Sequence, residues 1–330
     1  MPSITFPDLL TTIYVLVDDW YQAYGARLLT GKPGSKPDFS DSEVLTLLLA
    51  MDYLPFPGET QFLGYIRANY RALFPKLVGQ SQFNRRARAL RLLLEQLRRY
   101  WAFTMGVTDE SQFLLDTKPV PVVGYKRSKH HSQFAGSAAY GRCVSKNMRY
   151  FGYKLVTITT LSGLPVVYEL VPANTEEREA AEAIVASLAG CDLFADKGFL
   201  GGDWQAEIRA QTGNRVWTAK KVNQAQQNPP AFDRLLNSVR ERIEGTFNEV
   251  QNTGRNLERL LTKTIVGLCT RVIAKMTSHV LKYRNCSRLF LTSARYGQSG
   301  ANHVNLVAYS RSRYGRIPKN WRCRPICGVL

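Results

Sequence analysis

Two short apolar runs constrain this chain more than any other feature. Residues 112–116 (Gln-Phe-Leu-Leu-Asp) and 191–196 (Cys-Asp-Leu-Phe-Ala-Asp) each close on an aspartate. Runs of this length and make-up are typical of buried strands. In open α/β sheets the groups that meet ligands gather beyond the carboxyl ends of the strands. The pattern predicts strands that end at Asp116 and Asp196, with both acids on one rim of a sheet. Residues 237–251 supply a third acid. Val239, Ile243, Phe247 and Val250 recur there at helical spacing and predict a buried seam. Arg240, Glu244, Asn248 and Gln251 form a polar stripe beside that seam. Taken alone, the Arg240–Glu244 pair reads as a surface ion pair worth about 0.3–0.5 kcal/mol. The two aspartates give it a second reading, because a helix anchored along one side holds a carboxylate rigidly. Three gathered carboxylates repel and raise one another's pKa values. Mg²⁺, a hard cation that prefers oxygen ligands and keeps several waters, relieves that repulsion. Asp116, Asp196 and Glu244 are therefore the candidate catalytic and metal-ligating residues, arranged as a two-metal phosphoryl-transfer site requires.

Upstream of residue 104 the period is helical throughout. Leu9, Ile13, Leu16 and Trp20 share one face of a first helix, and Ser40-Asp-Ser-Glu43 predicts a capping box before a second. A third helix is expected over residues 61–73, and a fourth over 82–101 behind a Ser81 cap. The arginines of that fourth helix, Arg85, Arg86, Arg88 and Arg91, make one basic face. The face reads either as a phosphate-contacting surface, with Arg85 and Arg86 foremost, or as the solvated side of an amphipathic helix.

Residues 104–110 are a polar joint, after which the period changes. A second apolar run, 119–123, precedes a basic loop containing Lys126, Arg127, Lys129, His130 and His131, suited to phosphates rather than to metal. Residues 153–160 and 164–171 read as a hairpin turning at Ser162-Gly163. A helix capped by Asn174 with Glu177 follows, then the strand ending at Asp196, a helix over 203–211, a strand over 215–219 and a last long helix over 257–281. Strands first and then strand–helix alternation predict a mixed α/β sheet covered by helices, preceded by an all-helical N-terminal domain. The expected domains are residues 1–104, 105–290 and a basic, flexible tail, 291–330.

Charge points to the partner. The net charge is +18 over 330 residues, but no Asp or Glu follows Glu258, and 14 Lys and Arg lie beyond it. Residues 1–258 carry 30 basic against 26 acidic side chains, a net of +4. A near-neutral body with a cationic end suits a polyanion. Hydrophobic content of 45% excludes a disordered chain. The apolar stretch 265–281 contains Arg271 and Lys275, so a buried helix is expected and no membrane partner. Six scattered cysteines read as free thiols, and with no secretory leader in sight the expected compartment is the cytoplasm.

In their order and placement these motifs resemble the DDE-type transposases of bacterial insertion sequences, in the group with a Tyr-Arg-Glu-Lys signature. The resemblance is carried by residues 114–122 (Leu-Leu-Asp-Thr-Lys-Pro-Val-Pro-Val), 145–154, Ala195-Asp-Lys-Gly-Phe199 and Arg240-x₃-Glu244, and covers residues 5–290. Asn237 and Gln251 stand where the signature tyrosine and lysine are usual, which places the chain in a subgroup lacking both. The resemblance implies an RNase H-like core in which Asp116, Asp196 and Glu244 hold two Mg²⁺ ions, with Mn²⁺ able to substitute. It implies hydrolytic nicking at transposon ends and strand transfer into target DNA. Arg240 would hold Glu244 or a phosphate; Lys197 and the 126–129 loop would bind the DNA backbone, and Gln251 would touch DNA. The implied partner is double-stranded DNA, both terminal inverted repeats and target, bound by a homodimer or larger synaptic assembly. Two rival readings are a nuclease without transposition and a non-catalytic DNA-binding protein from a decayed element.

Overall fold

Ser40 Oγ accepts a hydrogen bond from the Glu43 N–H at 3.1 Å, while Glu43 Oε2 accepts one from the Ser40 N–H at 2.6 Å. This is the capping box that the sequence predicts, and it starts α2 (Asp41–Ala50), in which every residue from Val44 to Ala50 is buried. The computed structural model describes residues 4–29, 37–123, 133–143, 147–220, 227–252, 256–257 and 262–296; the side chains of Arg240, Gln251, Asn252 and 285–296 are not among them. Besides α2, the first 104 residues form α1 (Phe6–Ala23), α3 (Glu59–Asn69), α4 (Gln80–Ala89) and α5 (Arg91–Thr104). The fourth expected helix is thus two. Gly79, not Ser81, is its N-cap, and the chain breaks at Leu90 (φ −88°, ψ 1°). The break re-aims it, so that α4 packs on α2 and α3 while α5 packs chiefly on a C-terminal helix, α9 (Ile265–Tyr296).

The sheet is built around β1 (Gln112–Val123). On one edge it pairs antiparallel with β3 (Met148–Thr160), and on the other it pairs parallel with β5 (Asp192–Ala195), itself parallel to β6 (Arg215–Thr218). The far edge of β3 pairs with β2 (Ala139–Cys143) along its first half and with β4 (Pro165–Pro172) along its second. The β3–β4 hairpin turns where expected, and Gly163 adopts the positive φ (93°) that its turn needs. β2 was not anticipated. Helix α6 (Glu177–Val185) follows, but its N-cap is Glu176 with no side-chain capping bond, so the Asn174–Glu177 cap does not form. Helices α7 (Gly202–Thr212) and α8 (Pro230–Asn252) complete the cover.

One correction matters for the site. Asp116 does not end its strand. β1 runs on to Val123 because β3 is long enough to pair with it nearly throughout. What ends at Asp116 is the parallel pairing, since the last β1–β5 register pair is Leu115 with Ala195. The expectation of acids beyond strand ends holds for Asp196 and, for Asp116, in this modified form.

The two faces of the sheet pack differently. Phe113, Leu115, Leu193, Ala195 and Val216 join α1, α2, α4, α5 and α6 in one large apolar cluster. Leu114 and Phe194 face the other way, onto Leu236, Val239, Ile243 and Phe247 of α8. The helical N-terminal region and the sheet are also tied by a buried charge network. Arg98 donates to Glu95 (2.6 and 2.9 Å) and, across to β4, to the carbonyls of Pro165 (2.7 Å) and Val166 (3.1 Å). The Tyr168 hydroxyl donates to Glu95 at 2.6 Å. Burial alone would raise the Glu95 pKa, but Arg98, Arg99 and Tyr168 together carry it below the ordinary value.

Helix α9 begins at Ile265, not at 257, because Thr264 caps it, its hydroxyl accepting from the Gly267 N–H at 3.1 Å. It runs on to Tyr296, past residue 291, with neither Gly nor Pro between Gly267 and Gly297. Among the described residues no helix is long and apolar enough to cross a membrane, and the buried Cys191 is a free thiol.

Removing one member of a buried ion pair strands the other, at about 3–5 kcal/mol. Arg98→Ala is expected to lower the unfolding free energy measured by urea titration by that much, against about 1 kcal/mol for Ser40→Ala. Because the Glu95 pKa is depressed, the network's contribution is present above the ordinary glutamate range and lost as pH falls below it. The gap between wild-type and Arg98→Ala stability should therefore narrow in acid.

Candidate active site

Alternation along β1 puts Leu114 and Asp116 on the same face, and along β5 it does the same for Phe194 and Asp196. Since Leu114 and Phe194 pack against α8, both aspartates point to the side that α8 covers. There the buried seam of α8, Val239, Ile243, Phe247 and Val250, forms as predicted and leaves Glu244 on the exposed side. The outcome is a cavity of about 620 Å³ lined by Asp116, Asp196 and Glu244 together. Acids separated by 80 and 48 positions thus meet at one hollow because β1 and β5 are neighbours in parallel register and α8 lies over both.

Local backbone bonds fix two of the three. Asp116 Oδ1 accepts from the Thr117 N–H at 2.7 Å. Asp196 caps a short 3₁₀ turn, Lys197–Phe199, by accepting from the Lys197 N–H at 2.5 Å. Asp116 is the most perturbed acid of the cavity. Burial, with the negative charges of Asp196 and Glu177 adding to it, pushes its pKa up to about 7, against the opposing pull of the Thr117 N–H and Lys118.

Sequence reasoning named Glu177 only as part of a helix cap. In the structure it opens α6, lines the same cavity, and accepts from Thr117 Oγ1 at 3.3 Å. Its carboxylate lies directly over Gly198, where any Cβ would collide with it. A Cβ there would have to push the carboxylate aside, and the pairing was invisible in the sequence because 21 residues separate the partners. Lys118, Arg142 and Lys154 also line the hollow. Lys154 Nζ is held by the Thr175 carbonyl at 2.6 Å, and Lys118 Nζ sits 5.3 Å from the Phe247 ring centroid.

The predicted DNA-contacting residues are spread more widely. Lys197 is exposed beside Asp196. Arg85 is exposed on α4, whereas Arg86 is partly buried, paired with Asp41 at 2.7 Å and bonded to the Phe39 carbonyl. Arg88 and Arg91 are partly buried too, so Arg85 is the one fully exposed member of the expected basic face. Arg240 and Gln251 lie on α8, but their side chains fall outside the described residues, as do Lys126, Arg127 and Lys129 altogether.

Whether this hollow fits divalent cations can be judged from its donors. The lining acids are hard oxygen donors, and the raised pKa of Asp116 comes chiefly from burial, with the negative charges of Asp196 and Glu177 adding to it. Among the described residues, no three His, Cys, Asp or Glu side chains are close enough to hold one ion. The fit is therefore one of donor chemistry and shared cavity alone.

Residues 106–259 match the family model described as Transposase DDE domain. No curated protein and no solved structure matches the chain.

A carboxyl that titrates near 7 must lose its proton before it can take a metal ion. Mn²⁺ binding measured by calorimetry should therefore strengthen about tenfold between pH 6 and pH 8, with proton release at the lower pH. A pH-independent affinity would contradict the raised Asp116 pKa. In the metal-free protein the same shift means that this group's contribution to stability falls as pH rises from about 4 to about 7.

Proposed function

We propose that the chain, which carries a transposase DDE domain over residues 106–259, is a metal-dependent DNA transposase that nicks transposon ends and transfers the freed strand into target DNA. The observation that carries this reading is the convergence of Asp116, Asp196 and Glu244, from a strand, a strand end and a helix, on one cavity. Strand order supports an RNase H-like fold: β4, β3 and β1 antiparallel, followed by β5 and β6 parallel to β1.

Asp116, Asp196 and Glu244 would hold two Mg²⁺ ions, which in such sites activate the attacking oxygen and stabilise the leaving one. The remaining work falls to the chain itself. The Thr117 and Lys197 N–H groups orient the two aspartates, and the seam of α8 carries Glu244. Lys118, Arg142 and Lys154 give the cavity a cationic rim that suits DNA phosphates. Lys197, Arg85 and the 126–129 basic loop extend that contact. The helical region 1–104 would recognise transposon ends and residues 105–290 would hold the chemistry. The basic stretch 291–330 adds non-specific attraction to DNA. A homodimer or larger synaptic assembly in the cytoplasm completes the proposal.

The test is a cleavage and joining assay on labelled terminal-repeat DNA, with Mg²⁺ and with EDTA. Nicking at the repeat end followed by joined products is expected from the unaltered protein. Asp116→Ala, Asp196→Asn and Glu244→Gln should each keep DNA binding and lose at least about 10²-fold in cleavage. Cleavage without joining would reduce the assignment to a nuclease, and Mg²⁺-dependent cleavage by Asp116→Ala would refute the site.

A further inference from the structure

The turn between β3 and β4 does more than join two strands. It is stiffly built: the Gly163 N–H donates to the Thr160 carbonyl at 2.9 Å, the Leu164 N–H donates to Thr160 Oγ1 at 3.1 Å, and the Thr160 and Ser162 hydroxyls meet at 2.7 Å. Thr160 is in register with Phe113, so the turn is fixed to β1, the strand that carries Asp116. Its tip is wedged between two helices. A Cβ on Gly163 would collide with Thr246 Oγ1 of α8 and with the Tyr283 hydroxyl of α9. The buried His279 of α9 closes the wedge. Its Nε2 lies 3.2 Å from the Gly163 carbonyl, and the Tyr283 ring meets the imidazole edge-on at 5.0 Å.

A carbonyl oxygen only accepts, so Nε2 carries the proton of a neutral ring and Nδ1 is left as an acceptor. Among the described residues Nδ1 has no hydrogen-bond partner. The charged groups that face the ring are Glu249 of α8, with Oε1 4.0 Å from Nδ1, and Lys282 and Lys275 of α9. Lys282 Nζ reaches the same Glu249 oxygen at 3.7 Å, and Lys275 lies 3.6 Å from Asp52. Burial and the two lysines hold the His279 pKa below the ordinary histidine value, against the pull of Glu249 and the Gly163 carbonyl. The neutral imidazole is the resting form.

Helix α8 is otherwise held to the sheet by its apolar seam, an attraction without direction that tolerates a roll of the helix. The turn adds a contact that does not. At 3.6 residues per turn Thr246 and Glu244 stand about 200° apart around α8, one against the turn and the other on the acid cavity. We propose that His279 is a positioning residue: by holding the Gly163 carbonyl it keeps the turn seated between α8 and α9, and so fixes Glu244 relative to Asp116. It acts through the turn and α8 and touches none of the three acids. The proposal rests on the transposase reading for the role of Glu244, but its first readout is the protection of α8 in the metal-free protein. Hydrogen exchange of the full-length chain is followed by mass spectrometry over residues 236–250 of α8 and, for comparison, 93–102 of α5.

His279→Leu should speed exchange in α8 by about 10-fold, the loss of one buried hydrogen bond, and leave α5 within about twofold. His279→Gln, whose amide donates from the position of Nε2, should keep α8 within about twofold of the unaltered protein. Mn²⁺ affinity should follow the same order, about tenfold weaker for His279→Leu and recovered in His279→Gln. Acid gives a second reading. An opening that hydrates His279 lets it take a proton near its ordinary pKa, so α8 protection, corrected for intrinsic exchange, is full above about pH 6.5 and falls below it. That fall should be absent in His279→Gln. The assignment is overturned if His279→Leu leaves α8 unchanged or speeds α5 equally, if His279→Gln is as loose as His279→Leu, or if Mn²⁺ affinity ignores the loosening. Should His279→Leu fail to fold, equal acid responses of the unaltered chain and His279→Gln overturn it instead. Failure of the transposase reading looks different: α8 would loosen as stated, yet the unaltered chain would cut no terminal-repeat DNA.

Discussion

The double pairing of β1 is the constraint on which the rest of this molecule depends. One edge is held antiparallel by a thirteen-residue strand and the other parallel by a strand of only four. The long partner carries β1 straight through Asp116, and the short one stops at Ala195 and releases Asp196 into a turn. Two carboxylates thereby sit side by side where a parallel ladder ends, on the face that α8 closes. No local preference of either aspartate for its neighbour is involved. Their meeting follows from strand lengths and register.

That geometry creates an electrostatic problem at the centre of the protein. Asp116 is partly buried and feels Asp196 and Glu177, and its pKa rises toward neutrality in consequence. A buried carboxyl held beside other acids gives up stability in the unliganded state as pH rises. Such a cost is tolerated where a ligand recovers it, and a divalent cation is the ligand these donors suit. Lys118, Arg142 and Lys154 line the same hollow.

Rigidity comes from the opposite face. Arg98 reaches from α5 to the backbone of β4, and Glu95 and Tyr168 hold it on both sides. Lys275 of α9 lies 3.6 Å from the buried Asp52 carboxylate, below its ordinary pKa through burial, which that aspartate opposes. The helical region and the sheet share one apolar cluster, so a force on the N-terminal helices is felt at the strands that carry the acids.

The sequence by itself determined what depends on near neighbours: the Ser40 capping box, the β3–β4 turn at Gly163, the seam of α8 and the helical character of residues up to 104. It also singled out Asp116, Asp196 and Glu244, because an acid after an apolar run and an acid beside a helical seam are local patterns. Tertiary structure alone decided the rest. The break at Leu90, the passage of β1 through Asp116 and the start of α9 at Ile265 each turn on partners or caps that periodicity does not encode. Arg86 looked like part of a free basic face, but Asp41, 45 residues away, engages it. Glu177 came to the acid cavity, and His279 to the turn at Gly163, through strand order and helix packing. Local propensity acts over a few residues and can be read from their order. A site is made by residues far apart in the chain, and only the packing of the whole sheet brings them together.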